Sequence, residues 1–151
     1  MAESRIQRVA SYAFITAEGH VLLSLLNRGP NRGKWTLIGG GIEFGETPKD
    51  ALIREIEEEA GIRLNVEPIL WDVSSHSHSF TEENGEVKNI HFIGIIHRVE
   101  LPKMLVCKAD GDGFSSDGTR WFKLDGLDVH SKEFPIHPTV QRILKKLAGV
   151  E

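Results

Sequence analysis

The sequence has little cysteine and no long hydrophobic run. Cys107 is the single cysteine among 151 residues, so no intrachain disulfide can form, and we expect a reducing, cytoplasmic location. No stretch approaches the roughly 18 consecutive apolar residues of a membrane-spanning helix. Residues 1–10 also contain no apolar core of a signal peptide. We therefore expect no membrane partner.

An excess of positive charge is also missing. The chain carries 18 Lys and Arg residues against 22 Asp and Glu residues, a formal charge of −4. Nucleic-acid-binding surfaces are normally basic, so a nucleic-acid partner is not expected, although a bound cation would reverse the field at a phosphate site. The length of 151 residues and the 40% hydrophobic content predict one domain, residues 1–151, with its own core.

A helix is predicted over Pro48–Ala60. Thr47 is a good N-cap residue, and Pro48 occupies the first helical position, where a missing N–H costs nothing. Gly61 can adopt the left-handed conformation that ends a helix. The local sequence thus specifies both ends of this helix.

Three glutamates of this helix fall on one face. Glu55, Glu58 and Glu59 have the spacing i, i+3 and i+4, whereas Glu57 points away. Like charges at this spacing, close to a helix C-terminus, each oppose helix stability by a few tenths of a kcal/mol up to about 1 kcal/mol. The face adjoins an apolar stripe made of Leu52, Ile53, Ile56 and Ala60.

The clustered acids have two interpretations. A hard divalent cation such as Mg²⁺ or Mn²⁺ takes carboxylate oxygens together with waters and substrate phosphates, and would offset the repulsion. The alternative is an acidic solvated face that Arg54 partly neutralises. The residues of the helix alone favour neither interpretation over the other.

The wider stretch resembles the Nudix box, G-x5-E-x7-R-E-U-x-E-E-x-G-U, where U is a bulky apolar residue. Residues 40–62 fill every specified position at the required spacing, which makes the match highly specific. The matching residues are Gly40, Glu46, Arg54, Glu55, Ile56, Glu58, Glu59, Gly61 and Ile62.

The resemblance to Nudix hydrolases implies an α/β/α sandwich with a mixed β-sheet, where pattern alone would give only an α/β or α+β class. The order of predicted elements agrees with that fold. Besides the helix at Pro48–Ala60, strands are predicted at residues 9–15, 21–27, 35–37, 64–79, 87–99 and 120–123, a glycine loop at 39–41 and a closing helix at 137–147.

The resemblance also implies a metal site and a cofactor, Mg²⁺ with Mn²⁺ as an alternative. Glu58, Glu59 and the main-chain carbonyl of Gly39 correspond to metal ligands of the family. Glu55 corresponds to a further ligand or to the base that takes a proton from the attacking water. Arg54 corresponds to the partner of Glu46 in an ion pair that holds the glycine loop against the helix.

Family members often recruit one more acid from a loop. Residues 108–118 offer Asp110, Asp112 and Asp117, and we choose Asp117, four residues before Trp121, as the additional metal ligand. The alternative for each of them is a turn-forming aspartate beside glycine.

Several residues are candidates for binding substrate. Arg28 follows the second predicted strand, and its guanidinium suits a substrate phosphate, with a solubilising loop charge as the alternative. Gly40 and Gly41 lack a Cβ and allow backbone to approach a diphosphate. Arg32 and Lys34 are interpreted as loop charges.

Histidines form a second group of candidates. His76 and His78 alternate along one predicted strand, share one face with Phe80, and are expected to face His91 across a hairpin. By resemblance this face contacts a nucleoside; a polar sheet face and a metal role are the alternatives. His137 opens the last predicted helix and is a candidate for contact with a base edge.

The leading hypothesis is a Mg²⁺-dependent pyrophosphohydrolase that cleaves a nucleoside triphosphate or a nucleoside diphosphate derivative by attack of water on phosphorus. Its partner is a small nucleotide, and a homodimer is compatible with the sequence. Alternatives are a non-hydrolytic nucleotide sensor, an RNA 5′-end pyrophosphohydrolase, and an isoprenoid diphosphate isomerase, for which Cys107 lies far from the expected position.

Overall fold

A computed structural model describes residues 3–110 and 116–149. Within these ranges the chain forms one mixed seven-stranded sheet and two helices. The elements are β1 (Glu3–Ala17), β2 (His20–Leu26), β3 (Trp35–Thr36), β4 (Ile38–Gly41), α1 (Pro48–Ala60), β5 (Ile69–Thr81), β6 (Val87–Glu100), β7 (Ser116–Lys123) and α2 (Pro138–Leu147).

Strand β1 is the centre of the sheet. It runs parallel to β6 over its whole length, from the pair Glu3↔Val87 to the pair Thr16↔Glu100. Its other edge pairs first with β4 and then, beyond residue 14, with β2, both antiparallel. The change of partner places the glycines of β4 beside the middle of β1, and the other strands complete the order β3-β2-β1-β6-β5 with β7 on β2.

The two helices cover opposite faces of the sheet. Ala13 and Ile15 of β1 point to the core beneath α1, whereas Phe14 between them points to the core beneath α2. This alternation confirms the predicted α/β/α arrangement with a mixed sheet. The α1 side also contains Leu22, Ile38, Leu52, Ile56 and Val99, and the α2 side contains Val21, Leu23, Ile96, Val140 and Ile143.

Helix α1 has the predicted bounds. The Thr47 hydroxyl accepts a hydrogen bond from the Asp50 N–H at 3.1 Å, and Gly61 has φ 69° and donates its N–H to the Glu57 carbonyl at 3.0 Å. Both caps were specified locally, which explains the agreement. Of the predicted apolar stripe, Ile53 is only partly buried, and Ala51 is buried beside it.

Several predicted boundaries are wrong. Strand β1 begins at Glu3 rather than residue 9, because its polar first part is held by the ladder to β6 and gives no hydrophobic signal. Strand β5 begins at Ile69 rather than residue 64, directly after Pro68, which cannot donate to a ladder. The predicted glycine loop is strand β4, and Leu147, predicted to face inward, is 44% exposed.

Candidate functional site

The three glutamates of α1, here called the acidic ridge (Glu55, Glu58 and Glu59), differ strongly in exposure. Glu59 is 3% exposed, the Glu55 side chain is 13% exposed, and the Glu58 side chain is 52% exposed. The ridge therefore runs from the interior to solvent along about one turn of helix. A ligand that bound all three would be half enclosed by protein.

Arg54 is the cationic centre of this region. It holds Glu46 in a bidentate ion pair, with Nε–Oε2 at 2.9 Å and Nη2–Oε1 at 2.8 Å, and donates to the Gly41 carbonyl at 3.1 Å. Its Nη1 also lies 2.9 Å from Glu55 and 3.4 Å from Glu58. These contacts tie the segment after β4 to α1, as the resemblance implied.

The Arg54–Glu46 contact dominates the local electrostatics. The hydrogen bonds from Arg54 lower the pKa of Glu46 to about 2, and those same bonds raise the pKa of Arg54. Both groups are therefore charged throughout the physiological range. This fixed pair leaves the acidic ridge with a net negative charge.

Strand β4 brings backbone unusually close to the ridge. A Cβ on Gly40 would lie 2.6 Å from Oε1 of Glu55, so a larger residue would displace that carboxylate from its present position. A Cβ on Gly39 would lie 2.1 Å from the carbonyl oxygen of Ser11, and Gly39 has φ 150°. At Gly41 an added Cβ would meet nothing within 4 Å. Gly39 is thus required for backbone packing, the hydrogen at Gly40 leaves the Glu55 carboxylate in its place, and Gly41 has no such constraint.

Tyr12 is the residue of β1 that lies beside Gly39 of β4. It pairs with Gly39 across the β1–β4 ladder, and its ring lies beside the positions that a Cβ on Gly39 or Gly94 would occupy. Burial raises the pKa of the Tyr12 hydroxyl, and the charges of Glu59 and Glu55 raise it further. The Tyr12 hydroxyl therefore stays protonated, and part of the rise in its pKa reflects the negative charge of Glu59 and Glu55.

The chemistry of the donors fits a hard divalent cation. The ridge offers only carboxylate oxygens, one of its members is buried, and the backbone of Gly39 and Gly40 lies against it without side chains. Among residues 3–110 and 116–149, no three acidic, histidine or cysteine side chains are already gathered in a metal-binding arrangement. Arg54 instead contacts two of the three ridge carboxylates.

A cavity of about 490 Å³, here called the sheet cavity, opens beside the buried end of the ridge. A volume of this size suits a nucleotide-sized ligand. It brings together distant segments of the chain, from the loop after β2 to the first turn of α2. Seven residues predicted for metal or substrate binding line it: Arg28, Gly39, Gly40, Glu59, His76, His78 and His137. Gly41, Glu55, Glu58, Arg54 and Asp117 lie outside this lining.

One wall of the sheet cavity is an aromatic stack. The Phe92 ring lies 5.4 Å from the His76 ring and 5.5 Å from the His78 ring, at interplanar angles of 24° and 19°. His78 also stacks on Phe80 at 6.1 Å. The prediction that His91 faces this group is wrong, because His91 pairs with Ser77 and so points to the opposite side of the sheet.

His137 combines two positions. It is the N-cap of α2, where its Nδ1 accepts a hydrogen bond from the Thr139 N–H at 3.0 Å, and it also lines the sheet cavity. Burial lowers the pKa of His137 to about 4, helped by the charges of Lys34 and His76. The imidazole is therefore neutral at neutral pH.

Asp117 lies on the exposed start of β7. Its Oδ1 accepts a hydrogen bond from the Asn27 side chain at 3.0 Å, and the neighbouring Ser116 lines the sheet cavity. Lys108 connects this region to α1, since its N–H donates to the Ala60 carbonyl and its carbonyl accepts from the Thr119 N–H. Asp112 lies outside the described residues.

Tyr12 and Phe92 are among the residues of the site that sequence reasoning missed. Each belongs to a correctly located strand, and strand alternation assigns a face to each. What was lacking is the register between strands, which places Tyr12 opposite Gly39 and Phe92 opposite His76. Register depends on partners that lie far away in the sequence.

Comparison with known proteins identifies the family. The sequence profile of the NUDIX domain matches residues 6–147. This chain belongs to the NUDIX domain family. The predicted family and fold class are thereby confirmed.

Individual relatives agree with this assignment. Over 93 residues the chain is 38% identical to the nucleoside triphosphatase NudI of Escherichia fergusonii, and 37% identical to NudI of an Enterobacter species. Each alignment covers 60% of this chain and spans 66% of the length of the curated relative.

Solved structures show the same architecture. The MutT NUDIX hydrolase from Burkholderia pseudomallei superposes with a TM-score of 0.70 and 27% identity, covering 94% of this chain and 98% of that chain. The NUDIX domain of Shewanella oneidensis NrtR, solved with ADP ribose, gives a TM-score of 0.64 over 95% of this chain and 88% of that chain. Its identity of 14% supports the fold alone. In the described part of the chain, neither helix has the length and apolar character needed to cross a membrane.

Proposed function

We propose that this Nudix protein is a divalent-metal-dependent pyrophosphohydrolase that acts on a nucleoside triphosphate or a nucleoside diphosphate derivative. The observation that carries the proposal is the position of the acidic ridge, which meets the glycine backbone of β4 at the inner end of a nucleotide-sized cavity. The similarity to NudI and to a MutT hydrolase supports the reaction class.

Mg²⁺, or Mn²⁺ in its place, is the proposed cofactor. Glu58, Glu59, Glu55 and the Gly39 carbonyl would hold it, with Asp117 as an additional ligand from β7. When bound, the cation supplies charge neutralisation at phosphoryl oxygens and lowers the pKa of water.

The chain's own residues do the remaining work. A ridge carboxylate, for which Glu55 is our candidate, accepts the proton of a water whose oxygen forms a bond to phosphorus, while the bridging P–O bond breaks and its electrons leave with the departing phosphate. Arg54 holds Glu46 and the backbone at Gly41, and so keeps β4 against α1.

Arg28, Gly40 and Gly41 are the proposed phosphate contacts, and His76, His78 and His137 the proposed nucleoside contacts. The aromatic stack with Phe92 supports a base-binding wall, since bases stack on aromatic faces. We also propose a single domain, a cytoplasmic location and no nucleic-acid partner, in line with the lone cysteine and the net charge of −4. A homodimer is compatible with these proposals.

A nucleotide panel tests the proposal. Purified protein with Mg²⁺ should release pyrophosphate or a nucleoside monophosphate from at least one substrate, identified by mass, and a chelator should abolish the release. Glu58→Gln should lower kcat by about 10²–10⁴-fold, because removing one charged ligand from a phosphoryl-transfer site costs several kcal/mol of barrier.

Glu57→Gln is the matched control for that variant. Glu57 neighbours Glu58 on the same helix but points away from the ridge, and it should retain kcat within about twofold. Equal losses in both variants, or no hydrolysis of any nucleotide by the parent protein, would contradict the proposal. In the second case, tight nucleotide binding without product would favour a sensor.

A further inference from the structure

His137 is held by the fold in a way that fixes what it can offer a ligand. The Thr139 N–H is a donor only, so the Nδ1 atom 3.0 Å away must be the acceptor. In a neutral imidazole the proton then resides on Nε2. Helix α2 therefore selects one tautomer of His137 for a structural reason, as its own N-cap.

The same ring has a second nitrogen available to a ligand. Among the described residues Nε2 makes no hydrogen bond, and His137 lines the sheet cavity. His137 and His76, a member of the aromatic stack, line the same cavity. A flat ring placed on the stack would thus present its edge near a neutral N–H donor.

The other polar groups of the sheet cavity are less restricted. The hydroxyls can rotate to donate or to accept, and His76 and His78 can present either tautomer. His137 and Arg28 offer donors only, and Glu59 offers an acceptor at the ridge end. The rotatable lining groups are Tyr12, Ser24, Thr36, Ser74, Ser116 and Thr139.

We infer that His137 is a specificity-determining residue that favours nucleobases carrying an oxygen, rather than an amino group, at purine C6 or pyrimidine C4. The Nε2–H donates to that oxygen while the base lies on the His76–Phe92–His78 stack. An amino group at the same position would place two donors against each other, which leaves both unsatisfied in a partly buried site. The inference rests on the proposed nucleotide substrate.

Matched nucleotide pairs test the preference. ITP and ATP differ at purine C6, and UTP and CTP differ at pyrimidine C4, while the sugar and phosphates are the same within each pair. For the parent protein, kcat/KM should be about 10-fold higher or more for the oxo member of each pair. The Kd values of IMP against AMP and of UMP against CMP, measured by calorimetry, should differ in the same direction.

Two substitutions separate the cap from the donor. His137→Asn can place Oδ1 on the Thr139 N–H and keep an N–H donor, whereas His137→Ser caps the helix with a short hydroxyl that does not reach the base. Their thermal midpoints should agree within a few degrees. The ratio of kcat/KM for the oxo member to kcat/KM for the amino member should fall to about 1–2-fold in His137→Ser. It should stay higher in His137→Asn than in His137→Ser.

The outcomes distinguish this inference from the proposed function. If no nucleotide is hydrolysed, the proposed function fails, and the monophosphate Kd ratios still decide the role of His137. A parent protein with equal affinity for both members of each pair, or one that prefers the amino member, overturns the inference. An unchanged ratio in His137→Ser also overturns it.

Discussion

The acidic ridge and the sheet cavity adjoin each other, yet they are built in opposite ways. The ridge and its glycines come from one continuous stretch, residues 39–59, within which Arg54 contacts Glu46 and the Gly41 carbonyl. The cavity draws its walls from the loop after β2, from β5 and β6, and from the start of α2. We infer that the first region fixes the reaction and that the second fixes the substrate.

This contrast bears on tolerance to change. The acidic ridge and its glycines belong to one helix and one strand. This region tolerates few substitutions, because the same residues stabilise these elements and form the site. A cavity assembled from distant segments can change one wall and leave the others in place. Substitutions in the ridge should therefore impair folding and the reaction together, whereas a substitution in the sheet cavity should alter one wall and leave the others in place.

The largest effect is expected at Gly39. In Gly39→Ala the new Cβ would lie 2.1 Å from the Ser11 carbonyl oxygen and 2.7 Å from Tyr12 Cα, which are backbone atoms that cannot move away, and φ is 150°. The free energy of unfolding should fall by about 3 kcal/mol or more. Chemical denaturation measures it.

Gly41→Ala is the control for that change, since its Cβ would meet nothing within 4 Å. It should cost less than about 1 kcal/mol. Equal stability of the two variants would show that β4 does not pack against β1 as described.

A smaller loss of stability is expected when the pH is lowered, and this loss tests His137 of the sheet cavity. The pKa of His137 is lowered to about 4 from the ordinary 6.5, so between these values the unfolded chain binds more protons than the folded chain. Stability is then complete above pH 6.5 and is lost as the pH falls toward 4. Burial also lowers the pKa of His97, which adds to the loss.

Urea denaturation at pH 7.5 and pH 5.0 measures this loss. His137→Asn should reduce the difference between the two pH values by about 1–2 kcal/mol relative to the parent protein. His130→Asn, at an exposed position, should leave it unchanged. The Arg54–Glu46 pair interferes little, because its contribution to stability is lost only as the pH falls below the ordinary pKa of Glu46, 4.5. An identical pH dependence in His137→Asn would contradict the buried, neutral cap.

The same contrast explains what sequence could predict. Helix α1 was predicted with both of its ends, since Thr47 and Gly61 are local signals, and the Nudix box identified the family. The unequal burial of Glu55, Glu58 and Glu59 was not predicted, because it depends on how α1 sits against the sheet.

For the sheet cavity, most of the candidate residues were predicted from the sequence, but their arrangement was not. His76, His78 and His137 were named from strand alternation and from the helix start. The position of His91 was wrong by one residue of register, and Phe92 was missed for the same reason. Tertiary pairing determines both, and one sequence carries little information about it.

Metal binding tests the central claim most directly. Titration of the purified protein with Mn²⁺, followed by electron paramagnetic resonance, should show saturable binding, with Mg²⁺ competing for the same site. Glu59→Gln, which removes the charge of the buried ridge carboxylate, should weaken binding by about 10-fold or more, whereas Glu57→Gln should not change it. Equal Mn²⁺ affinity in the parent protein and in Glu59→Gln would show that the acidic ridge does not hold the metal.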